Sequence, residues 1–143
     1  MNLQLVTLTG TKLDQDVYEV VIPTESGEIA VFPDHEPLVT LAQSGVIQVR
    51  RAKTDSDDDV ELFAISGGVV EVTGDHVRVL VDEADYAPDI VEAEIKKALE
   101  RALKMRDEAT DQIALEKAHQ LVDRHIVRLK VADLHRRKRR KNL

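Results

Sequence analysis

The chain has no cysteine, no tryptophan and only two Phe and two Tyr among its 143 residues. Without thiols it forms no disulfide, holds no thiolate-bound metal and offers no cysteine nucleophile. That composition fits a reducing compartment. With so few rings, any core has to be aliphatic, built from Val, Leu, Ile and Ala. No apolar run approaches the roughly 20 residues that span a bilayer. Residues 1–5 open directly in a strand-like alternation, with neither the charged nor the apolar region of a secretion signal. Contact with a membrane is therefore expected only through a partner.

What is present is enough for one ordinary domain or two small ones. Apolar residues make up 43% and charged residues 33%, so the chain should fold and stay in solution. The net charge of −7 hides a segregation. Six basic side chains stand together at residues 136–141, and the rest of the chain sets 14 basic residues against 27 acidic ones. An acidic body with a basic tail is a pattern that calls for a partner or a contact.

Up to about residue 81 the apolar period is two. Residues 3–9, 17–23, 28–32, 38–41, 45–51, 60–65, 69–73 and 76–81 read as short β-branched strands bounded by Gly, Pro, Asp or Ser. Gly74-Asp75 suits a two-residue hairpin turn. Strands at this spacing predict a sandwich or barrel. The run Thr54-Asp55-Ser56-Asp57-Asp58-Asp59 reads as a solvated hairpin tip, because it lacks the alternating ligands, central Gly and closing Glu of an EF-hand. Near Pro88 the period changes. Val91, Ile95, Ala98, Leu99, Ala102 and Leu103 form one stripe of a helix over residues 90–106, and a polar break follows at 107–111. A second stripe runs through Ala114, Leu115, Ala118, Leu121, Val122, Ile126, Leu129 and Ala132, with His125 in its middle. The short connection makes the two helices antiparallel. The fold class is thus an N-terminal all-β sandwich or barrel of about eight to ten strands followed by a C-terminal antiparallel two-helix hairpin. Its expected parts are residues 1–83, 88–135 and a basic tail over 136–143.

Catalytic chemistry finds little support. His35 stands between Asp34 and Glu36, but neighbours in an extended segment point to opposite faces and cannot orient its imidazole. Ser66-Gly67-Gly68 is not a nucleophile elbow. Val39 occupies the place, four residues after His35, where a zinc-protease motif needs its second His. Gly67-Gly68 precedes neither a helix nor a lysine, so it reads as a backbone device rather than a phosphate cradle. His125 reads as a histidine hydrogen-bonded within the hairpin. No catalytic residue, metal ligand or cofactor site is assigned. The basic tail has the composition of a nucleic-acid patch, but no aromatic interleaves it and the acidic body opposes a polyanion, so no nucleic acid is expected.

Two segments in this order, Gly27-Glu28-Ile29-Ala30-Val31-Phe32-Pro33-Asp34-His35-Glu36-Pro37-Leu38 and Ser66-Gly67-Gly68-Val69-Val70-Glu71-Val72, followed by two helices, resemble the ε-subunit family of bacterial F-type ATP synthases. The resemblance covers essentially the whole chain and is strongest from residue 26 to 81. It implies a non-catalytic central-stalk subunit of a proton-translocating motor, peripheral on the cytoplasmic face of the bacterial plasma membrane as part of the F1 sector. It implies coupling of the γ subunit to the c-ring and inhibition of ATP hydrolysis by the helices. Carried over position by position, Glu28 would face the c-ring, and His35 and Thr40 would face γ. Arg124, Arg128, Arg136, Arg137, Arg139 and Arg140 would meet the α/β catalytic hexamer. Relatives usually have Gly and Ala where this chain has Asp34 and Glu36. Some members bind ATP through an Ile/Leu-Asp-x-x-Arg-Ala motif on the first helix and two arginines on the second. Here Val91 and Glu94 replace the Asp and the Arg, and only Arg124 and Arg128 match, so useful nucleotide affinity is not expected. Two other classes stay open from the residues alone: a freestanding β-sandwich adaptor whose basic tail docks on an acidic partner or RNA, and a small hydrolase using His35.

Overall fold

A computed structural model describes residues 1–142, so Leu143, the last residue of the expected tail, lies outside the described residues. The β-branched segments pair as predicted, with two strands added. In chain order they are β1 (Asn2–Thr7), β2 (Gly10–Asp16), β3 (Glu19–Thr24), β4 (Gly27–Val31), β5 (Leu38–Ala42), β6 (Gly45–Arg50), β7 (Glu61–Ile65), β8 (Gly68–Thr73), β9 (His76–Val81) and β10 (Ala84–Tyr86). All ten belong to one hydrogen-bonded sheet, ordered β10-β7-β6-β3-β5-β8-β9-β1-β2 with β4 added on β3. The sheet folds on itself as a sandwich. Every pairing is antiparallel except β1 with β9.

Alternation places one side of each strand in a dry aliphatic core. Leu3, Leu5, Val20, Ile22, Val31 and Ile47 are buried there with Val70, Val72, Val77 and Val79. The two Phe and two Tyr pair off as Tyr18 with Phe32 and Phe63 with Tyr86, the latter with centroids 5.0 Å apart. Gly68 is required by a close approach: a Cβ there would collide with the carbonyl of Leu80 on β9. Gly67 likewise lies against the carbonyl of Ala42. The glycine pair is thus a packing device, as the sequence suggests.

Two helices complete the chain, α1 (Glu92–Glu108) and α2 (Gln112–Lys141). Pro88 does not open α1. It sits in a 3-10 turn, Ala87–Asp89, after which Ile90 and Val91 stay extended. Ile90 instead packs beside the sheet. Asp111 caps α2 by accepting a hydrogen bond from Ala114 N at 2.8 Å. The expected boundary at 135 is absent, because α2 continues through the basic residues to Lys141.

Helix α2 also differs from the single stripe read in the sequence. Ala118, Val122, His125 and Ala132 are buried, but Ile126 is half exposed. At about 100° per residue, Val127, Val131 and Leu134 lie roughly opposite that stripe. They pack with Val46, Leu62 and Ala64 of β6 and β7 and with Ala87, forming a second, smaller core. One face of α2 therefore serves α1 and the other serves the β-domain.

Candidate functional site

Glu28 and His35, two of the predicted contact residues of the β-domain, sit near opposite ends of β5. Glu28 is exposed just after the β3–β4 turn, which Thr24 ties by donating its hydroxyl to Gly27 O at 2.6 Å. Thr24 is also the partner of Ala42, so this turn stands beside the far end of β5. His35 lies before the other end, in the loop joining β4 to β5. It is half-buried, with Nδ1 2.7 Å from Glu36 O and its backbone N–H donating to Phe32 O at 3.2 Å. Asp34 holds a φ of 67°, in the left-handed region that favours glycine. No carboxylate is hydrogen-bonded to the His35 ring among the described residues.

Thr40 is part-buried in the middle of β5. It alternates with Val39 and Leu41 and shares the inward side of β5 with Leu38 and Ala42. Its two neighbours are what the surface presents: Val39 is 71% exposed and Leu41 55%. Register then builds a row. Leu41 pairs with Val69 on β8, Val69 with Leu80 on β9, and Leu80 with Val6 on β1. Val69 and Leu80 are also exposed. The adjacent row runs Val39, Glu71, Arg78 and Gln4, the arginine Nε donating to Gln4 Oε1 at 3.3 Å. An apolar row across four strands with a polar row beside it has the character of an interaction surface. Period-two alternation carried this signal, but only strand pairing shows that the four residues are neighbours.

The second-helix arginines face their own β-domain. Arg128 donates from Nε to Asp85 at 2.6 Å and from Nη2 to Glu83 at 3.1 Å. Its Nη1 donates to His125 Nδ1 at 3.4 Å, which leaves that ring neutral with its proton on Nε2. Burial first, and then the charges of Arg128 and Arg124, push the His125 imidazole below the usual histidine range. Arg124 pairs with Glu83 as well, yet its Nε is buried with no hydrogen-bond partner among the described residues. Ser66 fixes the carboxylate-bearing segment, accepting from Glu83 N at 2.9 Å. Ser66 thus clips this segment to the end of β7. The clasp could not be read from sequence, since Glu83 and Asp85 are some forty residues from their partners.

Of the basic run, Arg136 pairs with Glu92 at 2.7 Å and with Asp133, and Arg137 pairs with Asp133 at 3.0 Å. Arg139 and Arg140 are exposed and have no ion pair among the described residues. Among those residues no group of His, Asp and Glu is arranged to hold a metal. No described helix is long and apolar enough to cross a membrane.

Comparison with known proteins adds the family. The model of the ATP synthase Delta/Epsilon chain beta-sandwich domain matches residues 1–87. The ATP synthase epsilon chain of Chromobacterium violaceum is 36% identical, the match covering 93% of each chain. That of Chloroflexus aggregans is 32% identical over 99% of each. Among solved structures, a chain of the Euglena gracilis mitochondrial ATP synthase OSCP/F1/c-ring assembly superposes with a TM-score of 0.73, covering 93% of this chain and 80% of that one. At 24% identity this last likeness concerns the fold.

Proposed function

The chain belongs to the ATP synthase epsilon-chain family, and from that premise we propose that it is the non-catalytic central-stalk subunit that fastens γ to the c-ring of a proton-translocating motor. It works on the cytoplasmic face of the bacterial membrane, held there by the complex. The observation that carries this reading is the exposed row Leu41, Val69 and Leu80 with Val39 beside it. Such side chains have little reason to face water on a small domain unless a partner covers them. We assign this face to γ, with His35 at its edge, and Glu28 at the opposite end of β5 to the polar loops of the c-ring. Neither contact asks for bond-making chemistry: the subunit transmits torque and is not an enzyme.

The helices regulate. In the structure α2 packs against the β-domain, with α1 on its other side, and Lys138 of the basic run reaches the β6–β7 turn. Undocked, α1 and α2 would carry Arg124, Arg128, Arg136, Arg137, Arg139 and Arg140 toward the α/β hexamer, where acidic side chains of β attract them and hydrolysis is inhibited. Replacing Leu41 and Leu80 with Asp tests the carrying observation. The variant should melt as a folded domain yet fail to co-purify with γ; a folded variant that binds γ as the parent does refutes the assignment. Replacing the four tail arginines, Arg136, Arg137, Arg139 and Arg140, with Ala should raise hydrolysis by the assembled motor and leave γ binding intact. An unchanged rate refutes the role of the tail.

A further inference from the structure

The acidic hairpin tip is expected to be a solvated turn, but the structure seats a lysine on it. Residues 57–59 form a 3-10 turn between β6 and β7, closed by a capping box. Ser56 donates to Asp59 Oδ2 from its backbone N at 3.1 Å and its hydroxyl at 2.7 Å. Arg50 braces the approach, donating to Asp55 O at 2.6 Å and to Asp57 Oδ1 at 2.7 Å. The turn is therefore braced by bonds from both Ser56 and Arg50. Lys138 Nζ donates to two of its carbonyl oxygens, Asp57 O at 2.8 Å and Val60 O at 3.1 Å.

Lys138 differs from the other five cations of the basic run. Those are exposed, whereas Lys138 is half-buried. Its position on α2 continues the face of Val127, Val131 and Leu134, so the apolar contact with β7 ends in a polar one. Burial holds its ammonium below the usual lysine range even though Asp58, Asp57 and Asp59 favour the charge. A side chain that only trailed across the surface would not be desolvated in this way.

We propose that the turn at residues 56–60 is a built-in receptor for the end of α2, with Lys138 as the catch that holds residues 136–141 against the β-domain. Lys138 cannot hold the carbonyls of the turn and meet an acidic segment of the catalytic hexamer at the same time, so the two contacts exclude each other. This rests on the reading of the helices as a regulatory element and adds which contact governs release of their leading end. The catch is local to α2, so its loss frees the last turns without disturbing the clasp at Glu83 and Asp85.

The test uses two variants that reach the catch from opposite sides. Lys138→Met keeps the aliphatic stem and removes the donors. Asp59→Ala removes both bonds to Ser56 and loosens the turn without altering the tail. Amide hydrogen exchange of the intact chain should quicken about ten-fold at residues 134–138 in each, the loss of a charge-assisted bond pair, while amides of β6 and β7 keep the parental rate. Lys130→Met, at an exposed position on the same helix, should leave all rates unchanged. Parental exchange at 134–138 in both variants overturns the proposal, as does equal acceleration in Lys130→Met. In the assembled motor Asp59→Ala should hydrolyse ATP more slowly than the parent, because its tail is freed with full charge. Faster exchange with an unchanged hydrolysis rate supports the catch and overturns the inhibitory reading instead.

Discussion

Val131→Ala separates the helix face read in the sequence from the face used in the structure. Val131 is fully buried among Val46, Leu62, Ala64 and Ala87, although the helical stripe does not include it. Removing its two methyl groups forfeits about 1.6 kcal/mol of transfer free energy at roughly 0.8 per carbon. A cavity term of up to about 1 kcal/mol adds to this if the site does not collapse. The better helix propensity of Ala returns about 0.5 kcal/mol. The net is about 2 kcal/mol against docking, close to a thirty-fold rise in the undocked population at 1.36 kcal/mol per decade. Ile126→Ala is the control: that side chain is half exposed and should cost little.

Hydrogen exchange resolved by residue provides the assay. In Val131→Ala, amides of α2 from 120 to 138 should exchange about thirty times faster, while those of Ile47, Phe63 and Val79 stay protected. In Ile126→Ala both sets should match the parent. Acceleration by Ile126→Ala without effect from Val131→Ala would refute the assignment of the docking face. Equal acceleration in helix and sheet would refute something different, namely that the helices form a unit separable from the β-domain.

Three further outcomes are expected. A fragment ending at residue 87 should give the circular dichroism of a folded β protein and resist proteolysis, because the larger core draws on strands alone; an unfolded fragment would contradict the two-unit reading. Millimolar ATP should not raise the melting temperature, since Arg124 and Arg128 are engaged by Glu83 and Asp85; a ligand at 100 times its Kd adds about 2.7 kcal/mol, which melting would reveal. The helical hairpin should open more readily on acidification, because His125 is buried on the face of α2 that packs on α1. The folded-state pKa of His125 is lowered by burial, Arg128, Arg124 and Arg101 against a smaller opposing effect of Glu83, so the opened chain takes up the proton first. Stability is therefore full above the ordinary value of about 6.5, falls as pH drops from there to the folded pKa, and levels off below it. His125→Gln should flatten that dependence of α2 exchange, and a parental pH profile in the variant would exclude His125 as its source.

The sequence is most legible where burial is one-sided and period-two, and least where backbone pairing alone decides. Strand β2 went unread because Thr11, Lys12, Asp14 and Asp16 give no apolar face and Asp disfavours strands, yet β1 supplies hydrogen bonds along its whole length. Strand β10 has three residues, too few to show any period. Pro88 correctly marks a change of structure but not the first residue of α1, since Ile90 gains more from the second core than from an extra helical turn. At the site, His35 is legible as a loop position and Glu28 as a strand position. The outward row is not, because only strand pairing sets Leu41, Val69 and Leu80 side by side.

Helix α2 shows why a stripe can mislead. A helix that packs on two sides carries apolar residues all round, and its periodic signal cancels even as its burial increases. The second face is also graded. Arg124 and Arg128 meet carboxylates at one end, Val127, Val131 and Leu134 meet aliphatic side chains in the middle, and Lys138 meets carbonyls at the other end. Only the middle gains appreciably from excluding water. At the ends, hydrogen bonds to charged groups contribute about 1 kcal/mol each and fix where the helix sits. A small apolar centre with polar ends is the composition of an interface that opens, and a larger side chain at Ala64 or Ala87 would be as effective in opening it as the loss of Val131.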